Sequence, residues 1–307
     1  KLEGSVYHLV KFASLAADCN PNILELLFCR EAEVRVCSPL GARLRGARQL
    51  FLSRKARHTY TGYAASQLKR IETHRKWLLD PPRHQPNRED YDLPGHTLIP
   101  REQLLAATAA IQKQLDRWEI DFGEMAASEI GRIQRKIASV LAEQQITADV
   151  RWQAAARTIG LQDNFIELMV HERRYRSAKQ SYSQYLGWTK NRNPARAALE
   201  AEFGFDTKHG AHLIRLLRMG REILAGEGVQ VWRGDRDADE LLAIRNGAWP
   251  YERLMAEAKA ELTLIATEDG ASLPARPDRE ALDTLVVELV QQALSLGRPA
   301  RSRPAAP

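Results

Sequence analysis

Cysteine is scarce in this chain: 307 residues carry three, Cys19, Cys29 and Cys37. Three thiols cannot all pair with one another, and nothing in their arrangement resembles the disulfide framework of a small secreted domain. Their spacing, without a suitably placed histidine, does not match a zinc ligand set either, so they read as small core residues. Long apolar runs are missing, and no stretch reaches the roughly 20 residues needed to cross a bilayer. No signal-peptide pattern opens the sequence and no repeat recurs at a fixed period. These absences point to a cytoplasmic protein with no membrane partner.

Other features are well supplied. Apolar residues make up 44% of the chain and charged residues 27%, a balance that supports a packed core and room for two domains, and excludes a disordered chain. The formal charge is +6 with a pI near 9.3, and arginine outnumbers lysine. A basic surface favours an anionic partner, because each phosphate neutralised releases condensed counterions, and a guanidinium can grip phosphate with two parallel hydrogen bonds. A basic solvated surface with no such partner is the plainer alternative.

The pattern along the chain is mostly helical. Residues 6–12 mix β-branched and aromatic side chains and could end a strand or open a helix; residues 8–18 read as helix, stopped by Asn20-Pro21-Asn22. Ile23 to Phe28 is a short apolar run, and Val34-Arg35-Val36 a candidate edge strand. From Ser38-Pro39 helices dominate, one of them from Ser53 to Leu79. The segment from Pro81 to Pro100, rich in Pro, Arg, His, Asn and Asp, reads as an exposed loop. Further helices are expected near 101–119, 126–144, 148–159, 162–187, 195–203, 207–225, 237–245, 250–267 and 278–295, with a short strand at Val229 to Trp232 and a disordered basic tail over 298–307.

Two helices carry most of the candidate chemistry. In the first, Tyr63, Gln67, Arg70, Ile71 and His74 share a face, and His58, Gly62, Lys69 and Lys76 lie beside it. Lys69 and Arg70 are candidates for nucleotide phosphates; a solvated helix face is the alternative. Gly62 costs about 1 kcal/mol relative to Ala inside a helix, which calls for close packing or a ligand near the backbone. In the second, Leu213, Leu216, Leu217 and Leu224 form one arc, and Lys208, His212, Arg215, Arg218 and Glu222 the other. Asp206 or Thr207 would cap it, and Lys208 beside exposed backbone NH groups suits a phosphate oxygen. His209 reads as a hydrogen-bonded core histidine. Two histidines three residues apart make only half of a metal site. Downstream, Arg233, Arg236 and Arg245 could meet an anionic substrate, with helix termination at Asn246-Gly247 and packing of Trp249 and Tyr251 as the structural explanation.

These segments also resemble a known family as ordered blocks. Tyr7-His8-Leu9-Val10-Lys11-Phe12, Asn20-Pro21-Asn22 and Ile23 to Phe28 resemble the third-carboxylate strand, following helix and next strand of DNA polymerase beta-type nucleotidyltransferases, in the bacterial and phage family found beside RNA-repair genes. Arg57 to Ala64, the Lys208-His209-x-x-His212 helix, and Arg233-Gly234-Asp235-Arg236 with the segments to Glu252 continue the likeness, which runs from Tyr7 to about Leu289.

The resemblance implies an α+β fold, predominantly helical: the remnant of a small mixed sheet in residues 1–37, closing a nucleotidyltransferase core, followed by a helical region over 38–297. It also implies a nucleoside triphosphate, Mg²⁺ and RNA as ligands. The superfamily's Gly-Ser turn is followed by an Asp-x-Asp strand, whereas Gly4-Ser5 has no acidic pair after it and the chain opens on Lys1. The expectation is therefore the helical remainder of a longer enzyme that moves a nucleotidyl group from a triphosphate to an RNA 3′ hydroxyl, with most of the chemistry upstream. Glu3 stands where the third metal-binding carboxylate would fall, because Mg²⁺ takes hard oxygen ligands, and Glu25 is the alternative acid. The remaining alternatives are an inactive RNA- or partner-binding module and a transferase acting on a protein side chain.

Overall fold

Helix starts in this chain are written locally. Asn20, Ser38 and Asn193 each precede a proline, and each side-chain oxygen accepts a hydrogen bond from a backbone NH of the first turn: Asn22 at 3.2 Å, Gly41 at 3.1 Å and Arg196 at 3.2 Å. A capping oxygen satisfies a donor that has no partner inside the helix, and proline gives up an NH that would have none. In the computed structural model, which describes the backbone over residues 4–125 and 145–296, there are twelve α-helices among the described residues, three of which start in this way. They are α1 Leu9–Ala17, α2 Pro21–Phe28, α3 Pro39–Gly46, α4 Lys55–Leu79, α5 Arg101–Met125, α6 Gln145–Thr158, α7 Asp163–Lys190, α8 Pro194–Phe203, α9 Thr207–Leu224, α10 Ala238–Arg245, α11 Tyr251–Thr267 and α12 Arg279–Leu296.

The expected sheet remnant is absent: the described residues contain no strand, and the fold is all-helical rather than α+β. Ile23 to Phe28 lies inside α2, where Ile23, Leu24 and Leu27 are buried and Leu26 is half exposed. Burial at steps of one and three is a helical stripe, which the Asn20-Pro21 cap initiates. Val34-Arg35-Val36 is irregular with Val36 exposed, and Val229 to Trp232 likewise has no regular secondary structure. A strand needs a neighbour to satisfy its backbone groups, and none of these segments has one. The helix expected at 126–144 and the tail at 298–307 lie outside the described residues. Of the cysteines, Cys19 alone is buried, and all three are unpaired.

The chain forms two units, Lys1–Leu68 with Thr207–Pro307, and Lys69–Asp206. The first has a core built from α1, α2, the start of α4, α9 and α12, with Leu24, Leu27, Phe51, Tyr60, Leu216, Met219 and Ile223 at its centre. Helix α9 packs on α10 and α11. Its apolar arc is the expected one, since Leu213, Leu216, Leu217 and Leu224 are all buried. The second unit has its own core, in which Ile99, Leu104 and Ile111 meet Trp152 of α6 and Ile166 and Met169 of α7. The Pro81–Pro100 segment is largely irregular, yet Leu93 and Ile99 within it are buried and Arg88 pairs with buried Glu172 at 2.5 Å.

Two helical glycines contrast. A Cβ on Gly220 would stand 2.9 Å from Cβ of Tyr60, so this glycine lets α9 approach α4. A Cβ on Gly62 would meet nothing within 4 Å, which removes close packing as its reason. Gly220→Ala is expected to destabilise the protein by about 1–3 kcal/mol through overpacking, and Gly62→Ala to stabilise it by about 1 kcal/mol. Thermal melts of the two variants check both signs.

Candidate functional site

Helix α9 brings four of the singled-out residues into one region, but it does so by pairing them with carboxylates. Arg215 donates to Glu25 of α2 at 2.5 Å. Arg218, nearly buried, donates to Asp237 at 2.8 Å, Glu240 at 2.6 Å and Glu257 at 3.2 Å, and lies 3.6 Å from Glu261. Arg233 grips Asp237 with two hydrogen bonds, at 2.6 and 2.7 Å, and reaches Glu222 at 2.6 Å. Arg236 contacts the same Glu222 at 3.2 Å and Glu227 at 2.7 Å. Arg221, not singled out from sequence, closes the set by pairing with Glu261 at 2.9 Å.

The electrostatics follow from burial. Desolvation works against the Arg218 charge, but the hydrogen bonds it donates to Asp237, Glu240 and Glu257 hold its pKa above the ordinary value, and Arg233 behaves the same way with Asp237 and Glu222. Burial alone would raise the Asp237 carboxyl; hydrogen bonds from Arg233 and Arg218 outweigh it and leave the pKa lowered. Such a cluster holds α10, α11 and the 233–237 turn against α9 more directly than it offers charge to a ligand.

The other sequence candidates sit differently. Lys69 and Arg70 on α4 and Lys208 in the first turn of α9 are exposed, and no carboxylate among the described residues pairs with them. His209 and His212 are half-buried. Asp206 immediately precedes α9 and is fully buried, and the Thr207 hydroxyl donates to the carbonyl of Arg245 at 2.7 Å. Glu3 lies outside the described residues.

One constellation escaped the sequence. In the second unit, His74, Glu200 and Asp206 each bring a ligand atom within 4.8 Å of the others. His74 Nδ1 is 3.8 Å from Asp206, Arg192 donates to Glu200 at 2.5 Å, and Arg196 donates to Asp206 and stands 3.5 Å from Glu200. Burial, and Asp206 nearby, raise the Glu200 pKa against the pull of Arg192. Two guanidiniums therefore already balance two carboxylates, and one of the three donor atoms is nitrogen. Mg²⁺ favours oxygen donors with charge to spare, so this cluster does not fit it. The histidine ring also stacks on Trp77, 5.5 Å between centroids, and lies 5.3 Å from Trp188 of α7. The signal that could have exposed this group was Asp206 as a helix-cap acid with arginines upstream; the distance from His74 in sequence hid it.

Against known proteins, residues 1–79 match the model of the RNA repair pathway DNA polymerase beta family. The resemblance stated from the sequence is thus supported over this N-terminal stretch, which is similar to that family. No curated protein and no solved structure matches the chain. Among the described residues no helix is long and apolar enough to cross a membrane.

The ion-pair cluster generates a pH prediction. A carboxyl with a lowered pKa contributes stability above its unfolded value, near 3.9, and loses it as pH falls through the folded value. Asp237→Asn should cost about 3 kcal/mol at neutral pH, because Arg218 and Arg233 lose a buried charge partner. That difference should shrink steadily below about pH 4, as protonation removes the same interaction from the unmodified protein; urea melts of both proteins across the acid range measure it.

Proposed function

We propose that this chain is part of a nucleotidyltransferase that moves a nucleotidyl group from a nucleoside triphosphate to a hydroxyl, with an RNA 3′ end as acceptor. The observation that supports this reading is the match of residues 1–79 to the RNA-repair polymerase beta family. In this reaction class the acceptor oxygen bonds to the α-phosphorus, the bond to the β-phosphate bridging oxygen breaks, and pyrophosphate leaves. Mg²⁺, when bound by carboxylates, neutralises the triphosphate and favours the attacking alkoxide. None of the carboxylate groupings described above is suited to that ion, so none of the described residues is assigned to holding it.

What the chain contributes in this reading is positioning. Lys69, Arg70 and Lys208 carry charge not taken up by carboxylates, and Lys208 stands at the start of a helix whose first NH groups favour an anion. They are the proposed phosphate contacts. Arg215, Arg218, Arg233 and Arg236 serve by fixing α9 and its neighbours, and their guanidiniums would reach phosphate only by exchanging partners.

A second reading, an RNA- or partner-binding module without catalysis, draws on a different observation: the convergent acids, Glu222, Asp237, Glu261, Glu200 and Asp206, are all tied to arginine. Incubating the product of the complete gene with Mg²⁺, each labelled triphosphate and a panel of RNAs separates the readings. RNA lengthened by a nucleotide is the expected result. Label on protein in place of RNA would transfer the activity to a side-chain acceptor, and no incorporation with any RNA or triphosphate would leave the binding role.

A further inference from the structure

Helix α7 changes character halfway along. Its first part is anchored in the core by Ile166, Met169, Val170 and Glu172, but from Arg173 to Lys190 no residue is buried. The stretch from Arg173 to Leu199 holds seven basic residues and not one acid. The half-buried stripe along this part of α7 carries four aromatic residues, Tyr175, Tyr182, Tyr185 and Trp188, beside Ala178 and Ser181. Successive rings lie close, with 6.3 Å between the centroids of Tyr182 and Tyr185 and 6.1 Å between those of Tyr185 and Trp188. Trp77 of α4 supports them from below, 5.8 Å from Tyr185 and 5.4 Å from Trp188. Cations already sit by the end rings: Lys179 Nζ is 5.9 Å from the Tyr175 centroid and the Arg192 guanidinium 4.2 Å from that of Trp188.

We infer that this half of α7 is a binding surface for single-stranded RNA, with bases laid against Tyr182 and Tyr185 and phosphates held by Arg176, Lys179 and Lys190. The inference rests on the proposed function for the choice of RNA, and on α7 itself for the surface. Exposed cations interleaved with partly exposed rings match the two needs of a single strand, since charge follows the backbone and every base has a face to stack. Lys179 and Lys190 have no ion-pair partner among the described residues, and Arg176 has one long contact, 3.8 Å from Glu172. From Tyr175 to Trp188 the helix rises roughly 20 Å, room for several nucleotides. A lipid surface fits less well: the exposed half of α7 offers one large aliphatic side chain, Leu186, to bury in a membrane. An acidic peptide would use the cations and leave the rings idle.

Fluorescence anisotropy of the 307-residue chain with a labelled oligouridylate tests this, over a salt series and beside Lys179→Ala/Lys190→Ala and Tyr182→Ala/Tyr185→Ala. The lysine pair should weaken binding at least tenfold at low salt and flatten the slope of log affinity against log salt by about 1.4, the contribution of two single-strand phosphate contacts. The tyrosine pair should lose about fivefold or more per ring, with little change in salt slope, and Tyr182→Phe/Tyr185→Phe should retain binding. Circular dichroism confirms that each variant keeps its helices. The inference is overturned if the variants bind like the original chain, if duplex RNA binds as tightly as single strands, or if vesicles with phosphatidylserine are bound and RNA is not. Nucleotidyl transfer by the complete gene product with unaltered RNA affinity in these variants would sink the surface and leave the proposed function standing. RNA binding that depends on α7 without any transfer would do the reverse.

Discussion

Helix α9 must bury one side completely and still carry Arg215, Arg218, Arg221 and Glu222, and the first unit is arranged around that requirement. A charge removed from water costs several kcal/mol unless it is paired and hydrogen-bonded. Each of these four charges is accordingly met by another element: Glu25 from α2, Glu240 from α10, Glu257 and Glu261 from α11, and Arg233 from the turn before α10. The apolar arc draws α9 into the core and the charged arc determines which helices can lie against it. Gly220, beneath Tyr60, sets how closely α4 can approach.

The same rule organises the second unit on a smaller scale. Glu200 and Asp206 are buried beside His74, and Arg192 and Arg196 supply the opposite charge. What resembles a ligand set by distance is, by charge balance, a tie between α8, the end of α4 and the residue that opens α9. Gly204, at φ +73°, ends α8 in the left-handed conformation and turns its carbonyl to Arg75 at 3.0 Å. Beyond Glu172, α7 runs from Arg173 to Lys190 without a buried residue.

A functional consequence follows from where the charge goes. The chain's net charge of +6 suggests an anion-binding surface, but many of its arginines are spent on internal partners. Lys69, Arg70 and Lys208, and Lys179 and Lys190 of α7, instead face solvent without a carboxylate partner among the described residues. Residues 1–79, which are similar to the RNA repair pathway DNA polymerase beta family, and the basic aromatic helix α7 lie in separate parts of the chain.

What the sequence alone determined was everything that depends on neighbours a few residues away. Helix starts at Pro21, Pro39 and Pro194, the buried leucines of α9 and the extents of most helices were legible, because caps and the 3.6-residue period act within one or two turns. Ile23 to Phe28 was not, since a run of five apolar residues around Glu25 suits a strand or a helix equally and the choice needed a strand partner that the fold does not provide. Nor could sequence show that Arg218 would meet Glu257 and Glu261, about forty residues on, or that His74 would meet Asp206. The acid-free run and aromatic spacing of α7 were present to be read, but whether those side chains would be covered or exposed was not. Tertiary structure decided these points, because the fate of a charge or a ring is set by which distant surface removes it from water.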